Sequence, residues 1–313
     1  MGKRGVELSQ DKLIAVKNYI NKQRGMDMID TGDDVVIERI PSGSYLLDRI
    51  IDGGIPLGRF SLFYGAPMSG KTTIALTTIA SAQKKGMLCA YLDSEKTYST
   101  DWANKLGVDG SNLLVSSVSL GEPLVDTVAD LIDRRFDLVV VDSIAAMCPK
   151  EFLESASKSK VSPLARLVNE MMCKVNALNS KTAIIFINQP REKVGVLFGS
   201  KLSLPGGKSV AHYASLTIKF WINGRIKEKD EIIGRVISCH VDKNKLGIPE
   251  RTAEFNVYFN SGIDNGDELL TLAIQQGVVT KSGGWYYYAS EKHQGRNTFI
   301  LEANSKWRKA VSL

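Results

Sequence analysis

A glycine-rich segment beginning at residue 65 has the residue types and spacing of a phosphate-binding loop. Residues 65–72 are Gly-Ala-Pro-Met-Ser-Gly-Lys-Thr, the pattern of Gly, four residues, Gly, Lys and Ser or Thr. The two glycines let the backbone wrap so that successive N–H groups face phosphate oxygens, and a helix starting there adds partial positive charge. Lys71 then reaches the β- and γ-phosphates, and the Thr72 hydroxyl coordinates Mg²⁺. The segment therefore predicts a binding site for ATP and Mg²⁺.

Two carboxylates follow apolar segments of the kind that form buried strands. Asp142 comes directly after Leu138–Val141, and Glu95 comes shortly after Leu88–Leu92. Ligands bind at the carboxyl ends of strands in open α/β sheets, so both side chains are expected on the rim that carries the glycine-rich loop. We predict that Asp142 holds the magnesium shell and that Glu95 activates the attacking water. A helix-capping aspartate and an ordinary surface carboxylate are the alternatives.

The segments that must position these side chains alternate between strand and helix patterns. The predicted strands are Phe60–Tyr64, Leu88–Leu92, Leu138–Val141, Ala183–Ile187, Leu216–Trp221, Arg235–Val241 and Ala253–Tyr258, and the predicted helices are Thr72–Lys84 and Leu164–Leu178. Alternation of this kind builds a mostly parallel sheet covered by helices on both faces. After residue 215 strand follows strand, which predicts antiparallel additions to one sheet edge. The predicted fold class is α/β.

The length of 313 residues allows one large domain and one or two small units. Residues 1–34 are predicted to form an N-terminal helical arm and its linker, with the helix over residues 9–24. Residues 35–264 are predicted to form the ATPase core, and residues 265–313 a small α+β C-terminal lobe. The arm is either a solvated helix packed on the core or a segment that docks on a neighbouring subunit.

Composition narrows the class of protein. The hydrophobic fraction of 43% and charged fraction of 24% are those of globular proteins, and the net charge is +6. Positive charge suits a polyanionic partner but does not identify one. The sequence has no signal peptide and no apolar run of about 18 residues, so neither secretion nor membrane spanning is expected. The four cysteines form no metal-binding pattern, which favours reduced thiols in a cytoplasmic protein.

Several further segments, in a fixed order, resemble one protein family. They are residues 41–48, 54–59, 90–95, 141–146, 187–191, 206–207, 213–215, 241–245 and 253–255. Together with the glycine-rich loop they are similar to the RecA family of DNA recombinases, from about Ile40 to about Trp285. Several motifs in the right order are more specific than a phosphate-binding loop alone. The resemblance implies a RecA-like P-loop NTPase core.

The resemblance also implies functional roles. The family polymerises on single-stranded DNA as a helical filament with ATP at each subunit interface, and exchanges strands with homologous duplex DNA. Glu95 corresponds to its water-activating glutamate, and Gln189 to a glutamine that senses the γ-phosphate and couples it to a DNA-binding loop. Lys243 and Lys245 correspond to a pair that reaches the adjacent subunit's ATP, and Trp102 to an aromatic that stacks on adenine. From the residues alone, strand capping, a solvated strand edge and core packing remain the alternatives.

The predicted site residues form a catalytic set, a nucleotide-binding set and a pair of metal ligands. The catalytic set is Lys71, Glu95, Gln189, Lys243 and Lys245, and the nucleotide-binding set is Gly65, Ala66, Pro67, Met68, Ser69, Gly70, Lys71, Thr72, Thr73, Trp102 and Asp142. Thr72 and Asp142 are the predicted metal ligands.

Two segments, residues 149–162 and residues 190–208, are predicted to be basic loops that contact DNA. Mobile basic loops can follow a phosphate backbone, and glycine lets backbone N–H groups approach it. The resemblance implies that apolar side chains near positions 161 and 194 wedge between bases. Surface loops without function are the alternative. The predicted DNA-binding residues are Val161, Arg166, Arg191, Lys193, Val194, Gly206, Gly207 and Lys208.

The chain departs from the family at three places. The interior of the glycine-rich loop is Ala66-Pro-Met-Ser69, where bacterial members have a glutamate and two serines; ATP binding is expected to survive this. His212 replaces a phenylalanine that the family packs across the subunit interface, which leaves filament cooperativity open. Residues 306–313 lack the acidic tail of bacterial members, which indicates either a shortened chain or a virus-encoded relative.

The sequence therefore predicts a DNA-dependent ATPase that forms filaments and catalyses homologous pairing and strand exchange. Its expected partners are single-stranded and double-stranded DNA, copies of itself, and single-strand-binding or mediator proteins. Three other functions stay open on the residues alone: a P-loop kinase for a small molecule, a DNA-binding regulator or loader that hydrolyses ATP weakly, and a hexameric helicase.

Overall fold

A computed structural model describes residues 3–25, 29–32, 36–154, 163–179, 181–192, 202–303 and 306–312. The chain divides into two units, Met1–Glu38 and Arg39–Leu313. The first unit contains helix α1, Lys3–Arg24, which confirms the predicted helix and extends it toward the N-terminus. Within this unit the side chain of Asn21 donates to and accepts from the backbone of Ile29, and Lys17 pairs with Asp30. These bonds hold the segment after α1 against the helix.

The second unit alternates strands and helices. Its helices are α2 (Tyr45–Ile50), α3 (Lys71–Gln83), α4 (Thr100–Lys105), α5 (Gly121–Asp133), α6 (Lys150–Glu154), α7 (Pro163–Leu178), α8 (Ser209–Tyr213), α9 (Asn265–Gln275), α10 (Arg296–Glu302) and α11 (Lys306–Lys309). Its strands are β1 (Arg39–Ile40), β2 (Ile55–Pro56), β3 (Phe60–Gly65), β4 (Cys89–Asp93), β5 (Leu113–Ser116), β6 (Leu138–Asp142), β7 (Ala183–Asn188), β8 (Arg191–Glu192), β9 (Leu202–Ser203), β10 (Leu216–Glu228), β11 (Glu231–Asn244), β12 (Thr252–Tyr258), β13 (Gly262–Ile263), β14 (Thr280–Ser282), β15 (Trp285–Tyr288) and β16 (Glu291–Gln294).

In the described part of the chain, the central sheet has nine strands in the order β13-β12-β11-β10-β3-β7-β6-β4-β5. Strand β3 runs parallel to β7 and β10, and β6 runs parallel to β7 and β4. From β10 to β13, each strand runs antiparallel to the next. The predicted parallel core with antiparallel strands added at one edge is confirmed. Because β3, β4, β6 and β7 are parallel, their carboxyl ends form one rim.

The strands of this core are buried on both faces, which fixes that rim. Successive residues of a strand face opposite sides, so Leu62 lies in one apolar cluster and Phe63 in the other. Ile74 of α3 packs in the cluster with Phe63, and Val168 of α7 packs in the cluster with Leu62. Each fully buried large apolar side chain contributes roughly 1.5–3 kcal/mol relative to an exposed one. The parallel strands are therefore held rigidly at the ends that carry the polar residues.

The C-terminal residues contain an apolar cluster of their own, centred on Phe299 and Trp307. A buried carboxylate joins this part to α2. Glu268 of α9 accepts hydrogen bonds from Ser44 Oγ (2.5 Å) and from the backbone N–H of Tyr45 (2.7 Å). Burial raises the pKa of Glu268 to about 7, against the effect of these donors. We call this contact between α2 and α9 the lobe junction.

Parts of the two predicted loops have regular structure. Residues 150–154 form helix α6, so the prediction of a loop throughout residues 149–162 is wrong for that stretch. Strands β8 and β9 pair antiparallel, Arg191 with Ser203 and Glu192 with Leu202, within the predicted 190–208 loop. A composition rich in Lys, Ser and Gly does not reveal such short elements. No helix among the described residues is long and apolar enough to cross a membrane.

Candidate nucleotide-binding site

The glycine-rich loop connects the end of β3 to the start of α3 on the central rim. A Cβ atom at Gly65 would lie 2.1 Å from the carbonyl oxygen of Phe220, so only glycine fits beside β10. Gly70 precedes α3 with φ of 91°, a left-handed conformation that glycine adopts without strain. The loop therefore has the strand–loop–helix context that phosphate binding requires.

Lys71 lies inside the curve of this loop. Its side chain is buried, and Nζ donates to the carbonyl oxygens of Gly65 (3.0 Å) and Ala66 (2.7 Å) and to Ser69 Oγ (3.3 Å). Burial lowers the pKa of Lys71, while the nearby carboxylates Asp142 and Glu95 oppose that shift. The loop thus carries a cation that its own carbonyl groups orient.

Asp142 lies at the end of β6, next to the loop, and is almost completely buried. Its Oδ2 accepts hydrogen bonds from Thr72 Oγ1 and from the Tyr91 hydroxyl, both at 2.7 Å. Burial raises the pKa of Asp142, and the bonds from Thr72 and Tyr91 counteract that rise. A hydroxyl and a carboxylate oxygen are hard ligands of the kind that Mg²⁺ prefers, so this pair fits the predicted metal. Tyr91, from the middle of β4, was not predicted.

Glu95 meets residues from two other strand ends. Its Oε1 accepts hydrogen bonds from Ser143 Oγ and from Gln189 Nε2, the latter at 2.6 Å. Ser143 follows β6 and Gln189 follows β7, so three adjacent strands contribute to this cluster. Two of its members, Glu95 and Gln189, were predicted from the sequence, and the structure brings them into direct contact.

Gln189 is also tied to the segment that follows it. Its backbone N–H donates to Asn188 Oδ1 (2.9 Å), and Asn188 Nδ2 donates to the carbonyl oxygen of Pro205 (2.9 Å). Asn188 is buried. A continuous path of hydrogen bonds therefore runs from Glu95 to residue 205, near the end of the second predicted DNA loop.

A cleft of about 400 Å³ opens beside the glycine-rich loop. Residues 68–73 line it, together with the half-buried Trp102 of α4. Its remaining lining residues come from β11, β12 and the residue after β12: Arg235, Ile237, Val257 and Phe259. Trp102 thus lies where a group bound at the loop would meet it. No sequence motif marks Arg235 or Phe259, since ordinary strand patterns surround both.

The structure does not bring Lys243 and Lys245 to this rim. Lys243 pairs with Thr217, which in turn pairs with Leu62, so both lysines lie toward the start of β3. Lys243 Nζ donates to the carbonyl oxygens of Ala211 (2.6 Å) and His212 (3.0 Å), and burial lowers its pKa. Among the described residues, neither lysine forms a hydrogen bond with the glycine-rich loop, although Lys243 lines a cavity with Tyr64 and Pro190.

Most of the predicted DNA-binding residues that the structure describes are exposed. Arg166 of α7 forms an ion pair with Glu151 of α6 at 2.5 Å. Arg191 Nη2 donates to the carbonyl oxygen of Ala145 at 3.4 Å. Gly206, Gly207 and Lys208 form the turn before α8; Gly206 is buried and the other two are exposed. Val161, Lys193 and Val194 lie outside the described residues.

Comparison with known proteins decides the family. Residues 11–264 match the RecA N-terminal domain. The RecA protein of Acinetobacter baylyi is 41% identical over 304 residues, which cover 93% of this chain and 87% of the relative. That of Rhizobium leguminosarum bv. viciae is 42% identical over 277 residues, 86% of this chain and 79% of the relative. The chain belongs to the RecA family. RecA-family proteins are DNA recombinases of recombination and repair and hydrolyse ATP in a DNA-dependent way, so the predicted fold class and recombinase function are confirmed.

The family match includes every strand of the central rim. Residues 11–264 contain the glycine-rich loop, Glu95, Asp142 and Gln189, and end just before α9. Members of the family bind nucleotide, DNA and copies of themselves. The nucleotide chemistry of this RecA-family chain is therefore expected at the hydrogen-bonded rim.

Proposed function

We propose that this RecA-family chain binds ATP with Mg²⁺ at the rim and uses hydrolysis there to control its hold on DNA. The observation that carries the proposal is the 2.6 Å hydrogen bond from Gln189 Nε2 to Glu95 Oε1. It joins the residue proposed to activate water to the residue at which the 190–208 segment begins. A change at the nucleotide is therefore communicated to that segment through one side chain.

Glu95 is the proposed general base. Ser143 and Gln189 both donate to its Oε1, and this fixes the orientation of the carboxylate. An oriented carboxylate on the rim takes a proton from water as the water attacks the γ-phosphate. Lys71 lies in the loop to neutralise phosphate charge. Thr72 and Asp142 would hold Mg²⁺, which when bound supplies positive charge to the phosphate oxygens.

Gln189 is the proposed sensor. Its amide donates to Glu95, and a phosphate oxygen is a second acceptor of similar chemistry. When the γ-phosphate takes this amide, the bond to Glu95 is exchanged and Glu95 is released toward water. Because Asn188 next to Gln189 is hydrogen-bonded to Pro205, the exchange moves the part of the 190–208 segment around Pro205. An uncharged amide releases the phosphate again after cleavage.

DNA binding is proposed to use the exposed basic positions and two apolar side chains. The proposed contacts are Val161, Arg166, Arg191, Lys193, Val194, Gly206, Gly207 and Lys208. Cations and backbone N–H groups follow the phosphates, which gives weak sequence preference and strong salt dependence. Arg166 is paired with Glu151, so contact with DNA replaces the Glu151 carboxylate by a phosphate as the partner of Arg166.

Filament assembly completes the site. The hydrogen bonds of Lys243 and Lys245 go to the carbonyl oxygens of Ala211 and His212 and not to the glycine-rich loop of their own chain, which supports a role at the nucleotide of a neighbouring subunit in a helical homopolymer. We retain residues 1–34 as the polymerisation arm and linker, 35–264 as the ATPase core and 265–313 as the C-terminal lobe. Strand exchange between single-stranded and duplex DNA in the cytoplasm, with single-strand-binding or mediator proteins as partners, completes the proposal.

The test is the ATPase rate with and without single-stranded DNA, at low and moderate salt. We expect strong, salt-sensitive stimulation in the wild type and no nucleotide-dependent DNA binding in Lys71→Ala. Gln189→Ala is expected to lose the stimulation by DNA, because the link to the 190–208 segment is cut. A wild-type rate that ignores DNA would favour the small-molecule kinase instead. DNA binding by Lys71→Ala with unchanged ATP dependence would disprove the assignment of the loop.

A further inference from the structure

Strand β11 passes beside the glycine-rich loop and contacts it at two points. Ile237 side-chain carbons lie 3.3 Å from the position that a Cβ on Gly70 would occupy. Two residues earlier on the same face, Arg235 Nη1 donates to the carbonyl oxygen of Met68 at 3.0 Å, and Nη2 lies 3.6 Å from Met68 Sδ. The tip of the loop is thus bound by a forked side chain from a different part of the sheet.

Met68 is the residue of this loop whose backbone needs such support. Its φ is 61°, in the left-handed region that side chains other than glycine rarely adopt. Its side chain is 72% exposed, so core packing does not hold it there. Met68 also lies in the stretch where this loop departs from the family pattern. A strained, exposed loop residue keeps its conformation only if its surroundings fix it.

Arg235 is itself held in place. Its guanidinium lies 5.8 Å from the centre of the Phe259 ring, and the backbone N–H of Phe259 donates to the carbonyl oxygen of Ile233. Among the described residues, no carboxylate pairs with Arg235. Its cross-strand neighbour on β10 is another cation, Arg225. Within the described part of the chain, the guanidinium is thus oriented by the loop and the aromatic ring, and Arg235 lines the same cleft as Trp102.

We propose that Arg235 is a positioning residue for nucleotide binding, which acts by holding Met68 and so keeps the glycine-rich loop in its phosphate-binding shape. Phe259 supports it from the other side. The two N–H groups of the guanidinium matter more than its charge, because both contact Met68. Arg235 determines how tightly nucleotide binds and leaves the hydrolytic step to Glu95. This inference rests on the proposed nucleotide site.

The test uses the full chain and titrates ADP with Mg²⁺ by calorimetry, alongside DNA-stimulated ATPase assays. For Arg235→Gln we expect the Kd for ADP and the KM for ATP to rise about tenfold, with kcat at saturating ATP within about twofold. Arg235→Lys is expected to behave like Arg235→Gln. Arg225→Gln, the same change on the neighbouring strand outside the cleft, is the matched control and is expected to bind as the wild type does.

A double-mutant cycle with Met68→Gly separates positioning from charge. Glycine adopts the left-handed conformation freely, so Arg235→Gln is expected to add little to the Kd of Met68→Gly. Effects that multiply in the double variant, a wild-type Kd in Arg235→Lys, or a fall in kcat alone would each overturn the inference. If the wild type itself does not bind ADP, the proposed nucleotide site fails instead.

Discussion

Asp142 on the rim and Glu268 at the lobe junction are alike in their burial, in a hydrogen bond from a hydroxyl group and in the direction of their pKa shift. Both are almost completely buried, and both accept hydrogen bonds from a hydroxyl group, Thr72 Oγ1 in one case and Ser44 Oγ in the other. Burial is the largest cause of a raised pKa in both. By a search for perturbed carboxylates alone, the two regions would be equal candidates for a functional site.

Their surroundings differ. A neighbouring carboxylate raises the pKa of each group further, Glu95 that of Asp142 and Asp48 that of Glu268, but Lys71 opposes the rise at Asp142. Asp142 also contacts a loop beside an open cleft, while Glu268 is enclosed between two helices. A carboxylate with a cation and a cleft can bind a metal and a phosphate; a carboxylate with neither stabilises a contact. The groups around a buried carboxylate, and not its shifted pKa, therefore distinguish a chemical role from a structural one.

Among substitutions that test this difference, the largest effect is expected on the rim, at Glu95. In Glu95→Gln the amide oxygen can still accept from Ser143 and Gln189, but it cannot take a proton from water. We expect kcat for ATP hydrolysis to fall about 100-fold or more, with the affinity for a non-hydrolysable ATP analogue within about twofold. The exposed Glu231→Gln is the control. Normal turnover in Glu95→Gln would reject Glu95 as the base.

A smaller effect is expected from Asp142→Asn, which changes the buried carboxylate itself. An amide is a poorer ligand for Mg²⁺, so the Kd for ADP should rise about tenfold with magnesium and stay within about twofold in EDTA. Calorimetry under both conditions measures this. Tyr91→Phe removes one donor but keeps the carboxylate, and serves as the control with less than about threefold change. Equal losses with and without magnesium would give Asp142 the structural role of Glu268.

The smallest effect is expected at the lobe junction and concerns stability. The pKa of Glu268 is about 7 in the folded chain and 4.5 as its ordinary value, so the folded state binds the proton more tightly. The free energy of unfolding therefore falls as pH rises from about 4.5 to about 7. Between pH 5 and pH 8 the wild type should lose about 5 °C more in Tm than Glu268→Gln. Glu231→Gln should show the same dependence of Tm on pH as the wild type. If the wild type and both variants show the same dependence, Glu268 is not the group responsible for it.

Much of the rim could be predicted because its residues follow sequence patterns. Glu95 and Asp142 each follow an apolar strand, and parallel strands bring their carboxyl ends together. The role of Gln189 was predicted only from the resemblance to the RecA family. Tyr91 could not be predicted, since its contact with Asp142 depends on the pairing of β4 with β6. The same holds for Arg235, whose distance along the chain from the loop gives no local signal. Short helix α6 was missed because its composition is that of a loop.

The central position of β3 has a consequence for how the chain is made. Its two neighbours are β7, which ends at residue 188, and β10, whose residues 216–220 pair with it. During synthesis both edges of β3 remain unpaired until those residues have left the ribosome, although the glycine-rich loop itself emerges early. Unpaired apolar strands are prone to aggregate, and pairings so distant in sequence form slowly. The edges of β3 are therefore exposed to incorrect pairing until residue 220 has been made.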